Sequence, residues 1–466
     1  MGKGRTLIRG TLMLAASGLA LRGFGILFQM YLSRRIGPAG MGLLQLVLTV
    51  GGFAGTLGSS GVRVAALQLT AKACGTGDSR QLSAALHGCL RYGLICSAAV
   101  GLGLILLARP IALGLLREAQ TVPALRVMGL VLPFVCLTGV MRSCFTACGR
   151  VRELVGVELL ERILSVGLTV GLLRLAEGGL DRVCAAVVAG SFGAAGCSFG
   201  LLYLRFRKTV RERGRALGRP VVSLCVPLAL NDYLRSGLGA VEQFLIPYGL
   251  EQNGSRVEAL AAYGRISAMV FPVLWFPSEL ILALCELMVS ELAKCQARGD
   301  TDRLRELVGK SLRYAVFFAG IVAAGLWFGG PKLGLLLFDS EQAGYDLRLF
   351  APMVLFLYLD AMVDGLQKGL GQQLYLVRYN SFTNVIDVVG LYTLLPRFGI
   401  AGYLFTYIFS HLVNFFLSLR RLLIVTGEEP KTALTHRALP LQPAAGHSAQ
   451  APVPGTLQCV IPNRER

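Results

Sequence analysis

Two segments of this chain, residues 71–92 and 293–314, are copies of one sequence that lie 222 positions apart. Eight of their 22 positions are identical at this single offset, among them the Gly-Asp pairs at 77–78 and 299–300. Long apolar stretches flank both copies. Internal repeats that contain membrane-spanning segments are typical of secondary transporters built from two like halves. The repeat therefore predicts a membrane protein with a duplicated architecture.

The rest of the chain is apolar enough to support this prediction. Of its 466 residues, 54% are hydrophobic and 16% are charged, whereas a soluble chain carries about 25% charge. Apolar runs of roughly 20 residues, the length of a membrane helix, recur along the sequence and are too long for barrel strands. We therefore predict an all-α polytopic membrane protein of about 12 transmembrane helices. The runs lie at about 7–31, 41–62, 84–108, 122–145, 154–173, 182–204, 221–247, 259–290, 312–330, 345–370, 376–396 and 399–424.

The repeat divides the chain into two lobes of six spans. An even number of spans leaves both lobes in the same orientation, so the repeat is parallel and the lobes are related by a pseudo-twofold axis along the membrane normal. We predict an N-lobe at 1–207, a basic cytoplasmic linker at 208–220 and a C-lobe at 221–427. The Pro- and Ala-rich residues 428–466 are predicted to form a disordered cytoplasmic tail.

The net charge of +19 reports topology rather than nucleic-acid binding. With the N-terminus placed in the cytoplasm, the cytoplasmic segments and span ends hold 31 Lys and Arg residues and the external ones hold 11. This bias predicts that both termini are cytoplasmic, because positive residues are retained on that side. The expected location is the plasma membrane of a bacterial cell.

Sequence signatures of an enzyme or a resident cofactor are missing. Gly309-Lys310-Ser311 lacks the earlier glycine of a phosphate-binding loop, and the four histidines show no metal-ligand spacing. The twelve cysteines lie mostly in apolar spans, contain no C-x-x-C pair and suit packing. We expect no catalytic residue, no metal site and no cofactor. Asp78 and Asp300, after the glycine of each repeat, are predicted to cap cytoplasmic helices.

Arginines inside the opening span of each lobe are the main candidates for substrate binding. Arg22 and Arg235 lie midway along the first and seventh spans, and each is followed seven residues later by a polar side chain, Gln29 or Glu242, on roughly the same face. Charged residues within membrane helices usually face a wet cavity or a partner. A pseudo-twofold axis would place Arg22 and Arg235 opposite each other across a central cleft.

Two further arginines join this set, Arg265 at the start of the eighth span and Arg63 at the end of the second. Guanidinium groups around one cavity favour an anion, above all phosphate, which arginine binds through two parallel hydrogen bonds. The alternative is that each arginine pairs with an acid. Asp232 and Glu242 are available to Arg235, whereas no carboxylate lies near Arg22 in the sequence.

The tenth and eleventh spans carry polar stripes that suit ion coupling. The tenth has Asp360, Asp364 and Lys368 at intervals of four residues, and the eleventh has Asn380, Asn384 and Asp387 on one face. Of these, Asp360, Asp364, Asn384 and Asp387 could coordinate Na⁺ or relay H⁺. They could equally hold helices together by hydrogen bonds. In the fifth span, Glu158, Glu161 and Arg162 are expected to form a local pair network.

Three segments carry a resemblance to a known superfamily: MYLSRRIGPAGMGLLQL at 30–46, GVRVAALQLTAKACGTGD at 61–78 and FPSELILALCELMVSELAKCQARGD at 276–300. Over about 1–425 the chain resembles the polysaccharide-exporter branch of the multidrug/oligosaccharidyl-lipid/polysaccharide flippase superfamily. It is most similar there to the stage V sporulation protein B and lipid II flippase groups.

The resemblance implies two six-helix lobes and alternating access. It also implies export of an undecaprenyl-diphosphate-linked saccharide for cell-wall, spore-cortex or polysaccharide synthesis. Arg22, Arg235 and Arg265 would hold the diphosphate. Membrane lipids and cell-wall synthesis enzymes are the other partners that it implies.

Two rival functions remain at this stage. A cation-coupled multidrug exporter would need carboxylates and aromatic residues in the N-lobe cavity, whereas the first span has Arg22 and no acid. A scaffold that recruits cell-wall enzymes without transport is the other rival. It would keep its function after the cavity arginines are neutralised.

Overall fold

The structure, a computed structural model, describes residues 2–76, 78–175, 179–209 and 219–426. The predicted tail and most of the predicted linker, at 210–218, lie outside the described residues. Below, residues 2–209 are the first half and residues 219–426 the second half. The helices of the first half are α1 (Gly2–Ser59), α2 (Val62–Thr76), α3 (Ser79–Leu106), α4 (Ala108–Pro110), α5 (Val122–Ala147), α6 (Val151–Leu175) and α7 (Leu180–Thr209). Those of the second half are α8 (Arg219–Glu251), α9 (Arg256–Gly264), α10 (Phe271–Trp275), α11 (Ser278–Arg298), α12 (Thr301–Phe338), α13 (Glu341–Phe350), α14 (Met353–Gly369), α15 (Gln373–Phe398) and α16 (Ile400–Thr426).

Helix α1 contains the first two predicted spans. Its 58 residues form two helical stretches that meet at Gly37. Gly37 has a φ of 68° and a ψ of 176°, which are not helical values, and Pro38 follows it. A straight helix of that length would measure about 87 Å, nearly three times the apolar thickness of a bilayer. Glycine adopts this conformation without the steric cost that other residues meet. The bend at Gly37 therefore allows α1 to cross the membrane twice.

Every predicted span falls on helical structure, and the all-helical membrane architecture is confirmed. Among the described residues, seven helices are long and apolar enough to cross a membrane, or eight if the bent pair α13–α14 counts as one span. Helices α6, α8 and α15 match predicted spans but are outside that set. They carry charged residues such as Glu158, Glu161, Glu242 and Asp387, and these side chains line the cavities described below.

The duplicated sequence has duplicated local structure. Helices α3 and α12 begin at residues 79 and 301, and both are capped by the aspartate of the repeat. Asp78 Oδ1 accepts backbone N–H groups at 2.8 and 3.2 Å, and Asp300 Oδ1 accepts one at 3.1 Å. Gly149 and Gly371, also 222 residues apart, share a φ of 71° before α6 and α15. The predicted caps are confirmed.

The two halves make their closest backbone contact where α1 resumes after its bend. Gly42 packs against the backbone of α9, and a Cβ there would collide with the carbonyl oxygen of Leu260. A Cβ on Gly264 would likewise collide with the carbonyl oxygen of Pro38. In the predicted topology this contact lies at the outer end of the bundle.

A second contact between the halves is made by hydroxyl groups at the break between α1 and α2. The hydroxyls of Ser60 and Tyr233 lie 2.5 Å apart, and Ser236 donates to Thr56 at 3.1 Å. Ser60 and Gly61 both have positive φ, 45° and 73°. The halves are thus joined by tight backbone packing at one level and by neutral hydrogen bonds at another.

Candidate functional site

Arg22 links the first half to the break between α10 and α11. Pro277 lies at this break and has no backbone N–H to donate to a carbonyl of α10. Arg22 Nη1 donates to the carbonyl oxygen of Trp275 at 2.7 Å, and its guanidinium forms an ion pair with Glu279. The side chains of Arg22 and Glu279 are 35% and 17% exposed. Arg22 has no acidic residue near it in the sequence, but the fold brings Glu279 next to it.

Beside Arg22 lies a cavity of about 540 Å³, here named the central chamber. Its polar lining is Arg22, Gln29, Gln45, Glu161, Arg162 and Ser191, and the aromatic side chains are Phe28, Phe192 and Trp275. Gln29 Oε1 is buried without a hydrogen-bond partner among the described residues. Arg162 extends towards α1, where a Cβ on Gly25 would lie 3.1 Å from its Nη2. Arg162 forms no ion pair within the described part of the chain.

A second cavity of about 420 Å³, the side chamber, lies between α2, α5, α6 and α7. It shares Val135, Glu161 and Ala195 with the central chamber. Its polar lining is Arg63, Thr138, Arg142, Ser143, Thr146, Glu158 and Glu161. Arg142 reaches both carboxylates, at 2.7 Å from Glu161 and 3.6 Å from Glu158.

A third cavity of about 350 Å³, the acidic chamber, lies on the second-half side. It shares Gln45 and Trp275 with the central chamber. Its polar and aromatic lining is Gln45, Glu242, Gln243, Ser267, Phe271, Trp275, Asn384, Asp387, Tyr407 and His411, with no lysine or arginine. Tyr407 donates a hydrogen bond to Glu242, and Asp387 Oδ1 is buried without a partner among the described residues.

Further acids lie next to the acidic chamber. Asp360 accepts hydrogen bonds from Asn414 at 2.6 Å and pairs with His411 Nδ1 at 3.0 Å. Asp364 is 3.5 Å from Asn380, which also accepts a hydrogen bond from Asn414. The three chambers and this network make one cleft. The first-half side carries four arginines and two glutamates, whereas the second-half side carries acids and His411 without lysine or arginine.

Comparison with known proteins places this chain in a family. The family described as polysaccharide biosynthesis protein matches residues 7–294, more than half of the chain. The chain belongs to the polysaccharide biosynthesis protein family. Among curated relatives, it is similar to stage V sporulation protein B of Bacillus subtilis (strain 168), with 22% identity over 416 residues that cover 85% of this chain and 80% of that protein. It is also 22% identical over 191 residues to sporulation protein YkvU of the same organism, covering 40% of this chain and 42% of that protein.

Solved structures show the same fold. An inward-facing multidrug resistance MATE family transporter of the MOP superfamily superposes with a TM-score of 0.70 and 14% identity, covering 88% of this chain and 96% of that one. An outward-facing structure of such a transporter gives 0.60 and 14%, covering 89% and 96%. This polysaccharide biosynthesis family member thus has the fold of MATE transporters, and it is more similar to the inward-facing structure.

The structure brings only part of the predicted arginine set together. Arg22 and Gln29 line the central chamber and Arg63 lines the side chamber, but Arg235 is exposed and lies outside all three chambers. Seven residues advance about 10 Å along a helix, so Glu242 can reach the acidic chamber while Arg235 on the same face cannot. The predicted pairing of Arg22 with Arg235 across one cleft is therefore not what the structure shows.

Arg265 is also absent from the chambers. Its Nε lies 3.0 Å from Asp346 Oδ2, and the two side chains are 13% and 5% exposed. This buried pair fastens the π-helical segment Arg265–Val270 to α13. Arg265 is therefore occupied by a structural partner in this conformation.

The predicted ion-coupling residues do come together. Asn384 and Asp387 line the acidic chamber, Asp360 is hydrogen-bonded to His411, which lines it too, and Asp364 joins through the asparagine network. Lys368 is exposed and forms no ion pair with Asp364 within the described residues. Glu242, predicted to bind substrate beside Arg235, belongs with these acids instead.

Sequence reasoning missed two charged residues of the site. Arg142 lies at the end of the fourth span, and it is Arg142, not Arg162, that pairs with Glu158 and Glu161. The fifth span has two carboxylates one turn apart, Glu158 and Glu161, but only one basic residue, Arg162. This imbalance was the signal that a further basic partner comes from another helix. Glu279 was missed as the partner of Arg22, although a carboxylate directly after the Pro277 break marks a polar site within an apolar segment.

Proposed function

We propose that this protein is a flippase that moves an anionic lipid-linked saccharide across the plasma membrane by alternating access. The observation that carries the proposal is the uneven distribution of charge within one cleft: the central chamber has two guanidinium groups and one carboxylate, and the acidic chamber has two carboxylates and no lysine or arginine. An undecaprenyl-diphosphate-linked saccharide fits this chemistry and the polysaccharide biosynthesis family. A role in cell-wall or spore-cortex synthesis is the setting that the sporulation relatives suggest.

The anionic linkage would bind in the central chamber. Arg162 has no ion-pair partner among the described residues, and Gln29 has an unused buried oxygen, so both have capacity for a ligand. A volume of about 540 Å³ lies within the range of small-molecule sites. Arg22 would contact the same ligand once its pair with Glu279 loosens. Because arginine binds phosphate through its planar fork, these side chains suit a diphosphate.

Coupling would occur at the acidic chamber, and we propose H⁺ as the coupling ion. The Asp360–His411 pair and the Glu242–Tyr407 hydrogen bond are contacts between groups that exchange protons. Protonation of Glu242 or Asp387 would remove a buried charge and so favour a different packing of α8 and α15.

Alternating access would require the outer contact between the halves to open. Glu251 in α8 accepts from Arg256 at 3.1 Å and lies 3.5 Å from Arg117, which precedes α5. Arg256 also lies 3.7 Å from Glu118 and donates to the carbonyl oxygen of Leu116. These four charged residues join the halves beyond the glycine contact. On the proposed mechanism they would hold the external side closed and would have to separate for it to open.

The proposal is tested by reconstitution. Proteoliposomes would be loaded with a fluorescent undecaprenyl-diphosphate-linked saccharide, and flipping would be followed by quenching with an impermeant reductant. Arg162→Ala should slow flipping at least about tenfold, since a charge-assisted hydrogen bond contributes roughly 1.5–3 kcal/mol. Arg235→Ala is the matched control and should flip at the wild-type rate. Normal flipping by Arg162→Ala would reject the assignment.

A second function is favoured by one observation. The acidic chamber combines Glu242 and Asp387 with Phe271, Trp275 and Tyr407, the lining expected for an aromatic cation. A multidrug exporter was expected to have carboxylates and aromatic residues in the N-lobe cavity, and here such residues line a cavity of the second half instead. Export of a cationic dye from the same proteoliposomes, without lipid flipping, would establish a multidrug exporter instead.

A further inference from the structure

The side chamber differs in chemistry from the central chamber that it adjoins. Its lining holds two guanidinium groups, two carboxylates and three hydroxyl groups, and it has no aromatic residue. The central chamber, by comparison, has three aromatic residues and several leucines. Two adjoining chambers of unlike lining suit a ligand with two unlike parts.

The charges of the side chamber cancel. Arg142 pairs with both Glu158 and Glu161, and Arg63 brings the second positive charge. With two cations and two anions, the chamber gives no net Coulomb preference for an anionic group. It still offers many hydrogen-bonding groups, which a neutral polar ligand can use.

The lining of the side chamber offers both hydrogen-bond donors and hydrogen-bond acceptors. Ser143 and Thr146 donate their hydroxyl protons to carbonyl oxygens four residues back, at 3.1 and 2.9 Å, so their oxygens remain available as acceptors. Arg63 lies across Gly139, where a Cβ would be 2.9 Å from its Cδ, and it forms no ion pair among the described residues. Its N–H groups remain donors. Sugar hydroxyls, which both donate and accept, match such a surface.

The two chambers meet at Glu161, next to Arg162 in the chain. A ligand whose anionic linkage lies against Arg162 can therefore extend its head group past Glu161 into the side chamber. We infer that the side chamber binds the sugar nearest the diphosphate, as a neutral, hydroxyl-rich residue, while the central chamber holds the diphosphate. This inference rests on the proposed function and adds the substrate's sugar to it.

The test compares two lipids that differ only in the sugar, undecaprenyl diphosphate and undecaprenyl-diphosphoryl-N-acetylglucosamine. Dissociation constants would be measured with the purified protein in nanodiscs. The wild type should bind the sugar-bearing lipid at least about tenfold more tightly, a difference of about 1.4 kcal/mol. Ser143→Leu, which fills the side chamber without changing its charge, should abolish that preference and leave the affinity for undecaprenyl diphosphate unchanged. Ser143→Ala is the matched control: it removes one acceptor without filling the chamber and should keep most of the preference.

Arg63→Ala provides a second variant, because Arg63 is exposed and its removal breaks no ion pair among the described residues. It should reduce the preference several-fold while sparing undecaprenyl diphosphate. Equal affinity of the wild type for both lipids, or equal losses for both lipids in Ser143→Leu and Arg63→Ala, would overturn the inference and leave the proposed function standing. A wild type that binds neither lipid would overturn both.

Discussion

The first-half and second-half sides of the cleft belong to the same repeat but differ in charge, because only the first-half side carries arginines. On the first-half side, Arg22 and Arg162 line the central chamber; on the second-half side, Glu242 and Asp387 line the acidic chamber. The local structure was kept in both halves, as the paired caps at Asp78 and Asp300 show. Duplication therefore preserved the scaffold while the inward-facing side chains diverged. Under the proposed function, the two sides of the cleft would bind an anion and a cation at the same time.

The largest expected effect concerns an arginine that belongs to neither site. Arg265→Ala should lower the free energy of unfolding by about 3–5 kcal/mol, because it leaves Asp346 buried without its partner. Affinity for the anionic lipid should not change. Thermal unfolding in detergent and lipid titration would measure the two quantities. The double variant Arg265→Ala/Asp346→Ala should recover part of the stability. A stable Arg265→Ala protein that no longer binds lipid would show instead that Arg265 binds the anion together with the arginines of the first half.

A smaller effect is expected from the acidic chamber. Asp387→Asn removes a group that can take up H⁺ and should reduce the acceleration of flipping by an imposed pH gradient at least about tenfold, an effect of about 1.4 kcal/mol. Ser267→Ala, in the same chamber but without charge, is the control. Proteoliposomes with and without a pH gradient supply the measurement. If Asp387→Asn retains the full response to the gradient, the acidic chamber is not the coupling site.

The smallest effect is expected at the outer network. Arg256 and its partners Glu251 and Glu118 are 26%, 28% and 31% exposed. Ion pairs at the surface contribute roughly 0.2–1 kcal/mol each, so Arg256→Ala should shift the halves only modestly towards an outward-open state. In a Cys-free background, Ser267→Cys should then react about two to five times faster with an impermeant thiol reagent added outside. Arg109→Ala, which contacts none of the chambers, is the control. Unchanged labelling would show that the network does not hold the outer side closed.

The sequence was sufficient for the fold because the features that specify it are local. Apolar run length predicted the helices, and the Gly-Asp pairs predicted their caps. Pro277 lies at the break before α11, whereas Pro227 and Pro247 lie within α8. Such properties depend on neighbours in the chain.

The site was less predictable because its contacts join residues far apart in sequence. The carboxylate that pairs with Arg22 is 257 residues away, and the partner of Arg265 is 81 residues away. Helical periodicity placed Arg235 and Glu242 on one face but could not show that only Glu242 reaches a cavity. The acids of the tenth and eleventh spans could be predicted from the sequence because a charged residue inside an apolar span is rare and in itself indicates a polar site.

The central claim is that the anion binds at the first-half side and the cation at the second-half side. Its most direct test is the affinity for undecaprenyl-diphosphoryl-N-acetylglucosamine of the wild type, Arg162→Ala, Asp387→Asn and Arg235→Ala, measured in nanodiscs at one pH. The account predicts a loss of at least about tenfold for Arg162→Ala and wild-type affinity for the other two variants. Wild-type affinity in Arg162→Ala, together with a loss in Asp387→Asn or Arg235→Ala, would contradict it.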